Sequence, residues 1–397
     1  MSGVEIVRVA ARGEGVTADG RHVPLAAPGD RVTDDGRVLP GPHHADPVCR
    51  HFPACGGCQL QHLDTDSLGA FVRDRIASAL AAQGVAAPDF DPVHLSPPRT
   101  RRRAGLSVRR AGRRILIGFN RERSHVIEDL AECHVLHPDL FALVAPLRAL
   151  MDRLLPARAA GATLRLTLAD QGIDLLIEGM AADGLAAIEA LGDFARGHAL
   201  ARLALDDGGG PQTLWEPVPV TVTLGGVPVG LPHAAFLQAT ADGEAALVAA
   251  VRDGVGAARV VADLFSGLGT FALALSGRVY AAEAARDAVL ALKAARPGIF
   301  ADHRDLYRRP LQPAELDRFE AVVLDPPRAG AEAQAALIAA ARTPRIAYVS
   351  CNPATFARDA RILAGGGLRL TRIVPVGQFG WSTHVELCGI FERRSAG

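Results

Sequence analysis

Ser350-Cys351-Asn352-Pro353 closes an apolar run, Ile346 to Ser350, that reads as a strand, so a thiol is expected at a strand end beside a polar turn. An isolated cysteine is more often an inert core residue. The Asn-Pro turn argues instead for a nucleophile, which reacts well although only a few per cent is thiolate at neutral pH. Farther on, His384-Val385-Glu386-Leu387-Cys388 alternates and should set His384, Glu386 and Cys388 on one strand face. A carboxylate among apolar residues must be paired or functional, so Glu386 is a candidate base; Cys388, deeper in the strand, reads as structural. Asp325-Pro326-Pro327-Arg328 ends another apolar strand, where a rigid turn would hold a carboxylate against a flat substrate. An aromatic after the two prolines would suggest methylation of an exocyclic amino group, but Arg328 stands there.

Asp263 to Thr270, with Gly267 and Gly269, reads as a strand that ends in a glycine turn and opens a helix, so that a ligand could lie against backbone N–H groups. The third glycine of a dinucleotide fingerprint is missing. Glu283 ends the next strand, where its carboxylate could accept both hydroxyls of a ribose. Together these features suit S-adenosylmethionine better than a pyrophosphate ligand; the plainer reading is a tight turn and a surface glutamate.

A methyl donor, a thiol and a base fit one reaction, methylation of carbon 5 of a pyrimidine. That carbon is a poor nucleophile until a thiolate adds at carbon 6. Cys351 would make that addition, and Glu386 would then remove the carbon-5 proton so that the thiolate can leave.

Cys49, Cys55 and Cys58 form a dense array, and Cys133 lies well downstream. Four thiolates suit zinc or an iron–sulfur cluster; three clustered cysteines with one distant partner favour [4Fe-4S]. The methylation needs no electron transfer, so the cluster would be a structural clip or a shape element for the substrate.

Positioning these groups calls for a mainly parallel, doubly wound sheet. Strand, glycine turn and Ala-rich helix alternate from about Ala235, with strands at Arg259 to Phe265, Val279 to Glu283, Ala321 to Asp325 and Ile346 to Ser350. Before it, short apolar pieces from Val4 to Val32 suggest a small barrel or sheet, and the polar stretch Leu39 to Pro47 a linker. The spacing predicts a helix over Asp66 to Gln83, a strand over Ile115 to Ile127 and a hairpin over Thr163 to Glu178. Val220 to Val229 reads as a further hairpin about Gly225-Gly226. The expected segments are 1–45, 46–234 and 235–397.

At 397 residues, with 49% hydrophobic and 22% charged, the chain has the composition of folded domains and not of a disordered chain. Lys+Arg and Asp+Glu number 43 each, so attraction to a polyanion must come from local clustering. Only Lys293 is lysine; the arginine preference accompanies an Ala- and Gly-rich composition and reads as codon bias. Met1 to Gly15 lacks the apolar core of a signal peptide, and four prolines interrupt the uncharged stretch Pro217 to Ala241. A cytoplasmic protein without a membrane span is expected, and six cysteines then point to ligands or catalysis rather than disulfides.

Arg99 to Arg114 carries eight arginines, a patch that calls for RNA backbone as partner, although a solvated charged hairpin would look the same. With these residues assembled, the chain resembles the RNA uracil-5-methyltransferase family in its iron–sulfur branch. The likeness rests on Cys49, Cys55, Cys58 and Cys133, Phe236-Leu237-Gln238, Asp263 to Thr270, Asp325-Pro-Pro-Arg, Ser350-Cys-Asn-Pro and His384-Val-Glu386. It implies Cys351 as nucleophile and Glu386 as proton acceptor. It further implies that Gln238, Phe265, Gly267, Gly269, Thr270, Glu283, Asp305 and Asp325 line the S-adenosylmethionine and uridine pocket. The implied fold is a Rossmann-like class I methyltransferase domain, a central α+β domain carrying the metal cluster and a short TRAM-like N-terminal β-barrel. The implied substrate is 23S rRNA, with transfer RNA as runner-up, and the enzyme a monomer. Thr240 stands where the family commonly has Asn, and Ser266 replaces a frequent Cys. A non-catalytic RNA-binding protein with a structural metal would leave Cys351 and Glu386 idle; a small-molecule methyltransferase would leave the arginines idle.

Overall fold

The computed structural model describes residues 3–156 and 161–393, so Met1 and Ser2 of the first expected segment and 394–397 of the last lie outside the described residues. Five short strands come first: β1 (Val4–Val9), β2 (Gly15–Thr17), β3 (His22–Val23), β4 (Arg31–Val32) and β5 (Val38–Leu39). They pair antiparallel in the order β3-β2-β1-β4-β5 around Ile6, Ala26 and Val32. Among the described residues β3 and β5 do not pair with each other, so the expected small barrel is a curled sheet that stays open; its two-residue edge strands are too short to close it. The Leu39 to Pro47 stretch is not a free linker. Buried Asp30 accepts from the N–H groups of Ala27 and Gly41, both at 2.7 Å, and bonds His44 Nδ1 at 2.7 Å, while Ala45 N–H donates to His62 O at 3.0 Å.

Helix α1 (Thr65–Ala82) is capped by Asp64, which accepts from Ser67 N–H at 2.8 Å, and buries Phe71, Val72, Ile76 and Leu80 as their spacing predicts. It is followed by β6 (His94–Leu95), then β7 (Arg103–Ala111), β8 (Arg114–Gly118), α2 (Pro138–Ala142) and α3 (Val144–Leu154). Next come β9 (Ala162–Ala169), β10 (Gly172–Glu178), α4 (Leu185–Gly197), β11 (Arg202–Asp206) and β12 (Gln212–Trp215). Their sheet runs β12-β11-β10-β9-β7-β8, and the expected hairpin is β9–β10, turning at Asp170-Gln171. The strand expected over Ile115 to Ile127 stops at Gly118. A side chain there would strike the Glu128 carbonyl, and the chain reverses through a turn closed by Arg121 N–H to Val126 O at 2.8 Å.

The hairpin of β13 (Thr221–Leu224) and β14 (Val227–Gly230) turns at Gly225-Gly226, with φ of 56° and 81° that suit glycine. Then follow α5 (Ala241–Val255), β15 (Val260–Leu264), β16 (Arg278–Glu283), α6 (Arg286–Ala295), β17 (Phe300–His303) and α7 (Pro313–Leu316). The chain continues through β18 (Ala321–Leu324), α8 (Glu332–Ala340), β19 (Arg345–Ser350), α9 (Pro353–Gly365), β20 (Leu368–Gly377) and β21 (Glu386–Arg393). The sheet order is β17-β16-β15-β18-β19-β21-β20-β6, parallel from β17 to β19 with β21 antiparallel to both neighbours. The order reverses at β15 and β18, which opens a crevice beyond their carboxyl ends. Helix α1 packs on α9 and β20, so residues well before the repeating unit also cover this sheet.

Two local expectations change. Gly267 to Ala274 forms consecutive turns and not a helix, and Gly267 and Gly269, with φ of 54° and 91°, take a conformation that an α-helix does not contain. His384 precedes β21, so only Glu386 and Cys388 of the expected trio lie on the strand.

Candidate active site

Strand register assembles the site. Ser350 at the end of β19 pairs with Leu387 of β21, so the next residue out on each strand, Cys351 and Glu386, emerge side by side. Leu324 pairs with Tyr348 on one side and Leu264 on the other, placing Asp325 between Cys351 and the glycine turn. Leu264 also pairs with Ala282, next to Glu283.

Cys351 is half-buried, and Glu386 is 3% exposed. Burial, then the negative charges of Glu386 and Asp325, push the Cys351 thiol up to about 11, while Arg328 opposes them. The free Cys351 thiol is thus less ionised than an ordinary thiol. Burial, with Asp325 next, raises Glu386 to about 8, and burial alone raises Asp325 to about 7. Asn352 Nδ2 donates to Arg328 O at 2.9 Å, while Asn352 Oδ1 accepts from Ala354 N–H at 3.1 Å and caps α9. One side chain therefore ties the Cys351 turn to the Asp325 turn.

On the other flank, Glu283 accepts from Gly267 N–H at 3.0 Å and Ala285 N–H at 2.7 Å. The Phe265 and Tyr307 rings stand 5.4 Å apart. Asp305 follows Arg304, whose N–H donates to Glu283 O at 2.9 Å, and itself accepts from Tyr307 N–H at 2.9 Å. Gln238 reaches Asp325 through Nε2 at 3.5 Å and accepts from Gln378 Nε2 at 2.8 Å. Asp263 is fully buried, and burial raises it to about 8; its Oδ2 accepts from Ala272 N–H at 2.8 Å, whereas its Oδ1 and the Ser266 hydroxyl have no partner among the described residues. A Cβ on Gly267 would meet nothing within 4 Å, whereas one on Gly269 would strike Leu292 at 2.6 Å. Orphaned buried polar atoms, open space over Gly267 and the Glu283 carboxylate beside the glycine turn fit S-adenosylmethionine. Thr270 lies in the same turn.

Sequence reasoning missed Gln378 and Tyr307. Gln378 is buried where apolar β20 ends and donates to Gln238, a buried polar residue at a strand end that could have been singled out. Arg103 lies 4.5 Å from the Phe236 ring centroid. The expected patch of eight arginines divides: Arg102, Arg110 and Arg114 pair with Glu244, Asp152 and Asp129, and Arg101 and Arg103 lie against aromatic rings. Arg99, Arg109 and Arg113 remain exposed, without a carboxylate partner among the described residues. Thr240 caps α5 through Gly243 N–H at 3.1 Å.

Cys49, Cys55, Cys58 and Cys133 line one cavity of about 20 Å³ with Phe52, Phe119 and Leu130. Among the described residues no group of three His, Cys, Asp or Glu side chains stands ready to hold a metal ion. Burial raises the Cys49, Cys55 and Cys58 thiols, Cys58 to about 12, so a bound cation would have to displace their protons. Four soft donors facing one enclosed space are a donor set suited to an iron–sulfur cluster or zinc.

The sheet order and the strand-end crevice define a class I methyltransferase. Residues 298–395 match the family model described as tRNA (Uracil-5-)-methyltransferase. The chain is 51% identical over 395 residues to an uncharacterized RNA methyltransferase of Zymomonas mobilis subsp. mobilis, covering 98% of this chain and 99% of the relative. It is 34% identical to the 23S rRNA (uracil(1939)-C(5))-methyltransferase RlmD of Thiobacillus denitrificans, covering 89% and 87%. The crystal structure of the Pyrococcus abyssi tRNA (uracil-54, C5)-methyltransferase with S-adenosyl-L-homocysteine has the same fold, with TM-score 0.77 at 21% identity over 98% of this chain and 99% of that one. The chain belongs to the RNA uracil-5-methyltransferase family and is an RNA methyltransferase. A non-catalytic RNA-binding protein and a small-molecule methyltransferase are thereby set aside. No described helix is long and apolar enough to cross a membrane.

Proposed function

We propose that this enzyme methylates carbon 5 of one uridine in large-subunit ribosomal RNA through a covalent bond between Cys351 and the base. The observation that supports the reading is the Ser350–Leu387 pairing, which brings Cys351 and Glu386 to adjacent strand ends. The target base is flipped out of its stack at a cost of a few kcal/mol. Cys351 loses its proton to solvent and bonds carbon 6, and the carbon 5–carbon 6 pair becomes available at carbon 5. S-adenosylmethionine, when bound, supplies a methyl group already activated on a sulfonium. Glu386, as carboxylate, takes the carbon-5 proton; the electron pair restores the ring double bond and expels the Cys351 thiolate. Gln238, Phe265, Gly267, Gly269, Thr270, Glu283, Asp305 and Asp325 line the donor and base pocket in this proposal.

Cys49, Cys55, Cys58 and Cys133 would hold a [4Fe-4S] cluster, a proposal supported by their shared cavity and all-thiol donor set. Its role is to clip the Cys133 segment to the earlier loop. Segments 1–45, 46–234 and 235–397 serve as RNA-binding, cluster-bearing and methyltransferase parts, and the cytoplasm is the proposed compartment. Large-subunit RNA is preferred because the 34% identical relative is named for it, whereas the tRNA enzyme shares the fold at 21%. Methyl transfer from labelled S-adenosylmethionine to unmodified total RNA, with the product mapped, tests this. The label should fall on one uridine of 23S rRNA; label confined to transfer RNA would establish the alternative.

A further inference from the structure

A second cavity, of about 230 Å³, lies beside the catalytic strand ends. Leu68 and Val72 of α1, Arg101, Phe379, Trp381 and His384 are on its wall. None of Phe265, Glu283 or Asp305 lines it, so it is separate from the proposed donor pocket. Two of its wall residues reach the catalytic crevice: Gln378 donates to Gln238 at 2.8 Å, and His384 Nδ1 bonds the Arg328 guanidinium at 3.1 Å.

Arg101 is unusual within it. The guanidinium centre lies 5.7 Å from the Phe119 ring centroid and 5.6 Å from that of Phe379, and Nε donates to Arg103 O at 3.1 Å. Among the described residues no carboxylate pairs with it. Its backbone is anchored by Arg101 N–H to Val135 O at 3.1 Å and His137 N–H to Arg101 O at 2.9 Å. Arg101, Phe379 and Trp381 thus bring a planar cation and aromatic rings together on the wall of a largely apolar cavity, the kind of surface on which an unstacked nucleobase is held in single-stranded RNA recognition.

We propose that this cavity receives a second RNA base, a neighbour of the target uridine, stacked against Arg101, Phe379 and Trp381. The proposal rests on the RNA reading above. A flipped-out target leaves its neighbours without a stacking partner, and the cavity wall shared with the crevice through Gln378 and His384 puts one of them within reach. The guanidinium supplies positive charge to the phosphate beside that base.

The test uses a short RNA carrying the uridine that the wild-type enzyme methylates, with one abasic nucleotide placed at each neighbouring position in turn. Wild type should lose affinity about tenfold at one position. Leu68→Trp, which fills the cavity, should weaken binding of the intact RNA about tenfold and show no further loss with that abasic RNA. Arg101→Gln should behave likewise, as a second variant should the first misfold; retained S-adenosylmethionine binding reports folding. An abasic profile identical in wild type and both variants would overturn the base pocket while methylation stood. Wild-type enzyme that methylates no RNA would overturn the underlying reading and this inference with it.

Discussion

The Trp381 carbonyl accepts hydrogen bonds from the backbone N–H groups of both Gln59 and Leu60, each at 2.8 Å. Gln59 directly follows Cys58, and Trp381 lies on the loop leading into Glu386, so the cysteine loop holds the approach to the proposed base. Trp381 takes a φ of 51°, a left-handed conformation that a tryptophan adopts only when its surroundings enforce it.

That connection predicts an effect of metal removal at a distance. Chelating the protein, or replacing Cys55 with Ala, should raise amide hydrogen exchange across 377–384 while β15 and β18 stay protected. Unchanged exchange in that loop would show that the cysteine site does not hold it.

The proton acceptor has its own signature. Glu386→Gln should still attach to RNA and release it slowly, lowering turnover by about 10²- to 10⁴-fold. Because burial raises Glu386 to about 8, its basic form grows as pH rises through that value, so wild-type turnover should climb from pH 7 to about 8. Glu386→Gln should lack that part of the climb; unchanged turnover would remove Glu386 from its role.

Stability should move the opposite way. Asp263, Asp325 and Glu386 are raised to about 8, 7 and 8, so the folded chain binds more protons than the unfolded one above the ordinary carboxylate range. Their contribution is fully present below the unfolded pKa and is lost as pH rises through the folded values. Buried His62, lowered to about 4, has the opposite slope, but only up to about pH 6.5. Unfolding by denaturant should therefore become easier from about pH 6.5 to 8, and Glu386→Gln should flatten the decline. Constant stability across that window would contradict the burial argument.

Asn352 offers a test of the tie between turns. Asn352→Ala removes both the α9 cap and the bond to Arg328 O. The expected loss is about 1 kcal/mol in denaturant unfolding together with reduced turnover. A variant with wild-type turnover would show that the tie does not position Cys351.

RNA affinity should fall with salt less steeply than eight arginines would suggest. Replacing Arg99, Arg109 and Arg113 with Gln should lower the slope of log affinity against log salt by roughly 2 to 3. Arg110→Gln, which breaks the pair with Asp152, should leave the slope unchanged. The reverse pattern would mean that RNA approaches another face.

The strand ends were legible in the sequence because each chemical residue follows an apolar run: Asp325 follows Ala321–Leu324, and Cys351 follows Arg345–Ser350. Neighbourhood was not. That Cys351 meets Glu386 depends on antiparallel pairing of β19 with β21, a long-range choice that no local spacing encodes. The glycine turn after β15 looked like a helix start because Ala and Leu follow it, while the positive φ of Gly267 and Gly269 that shapes it leaves no mark in composition. The arginine run looked like one patch because charge is read along the chain, whereas its carboxylate partners, such as Asp129, Asp152 and Glu244, come from distant segments.

The central claim is a temporary bond between the Cys351 sulfur and a pyrimidine carbon. RNA substituted with 5-fluorouridine traps that bond, since the carbon-5 fluorine cannot leave as a proton. Incubated with this RNA and S-adenosylmethionine, the enzyme should give a protein–RNA band on a denaturing gel, and Cys351→Ala should give none. No band with wild type, or a band that persists in Cys351→Ala, would contradict the mechanism.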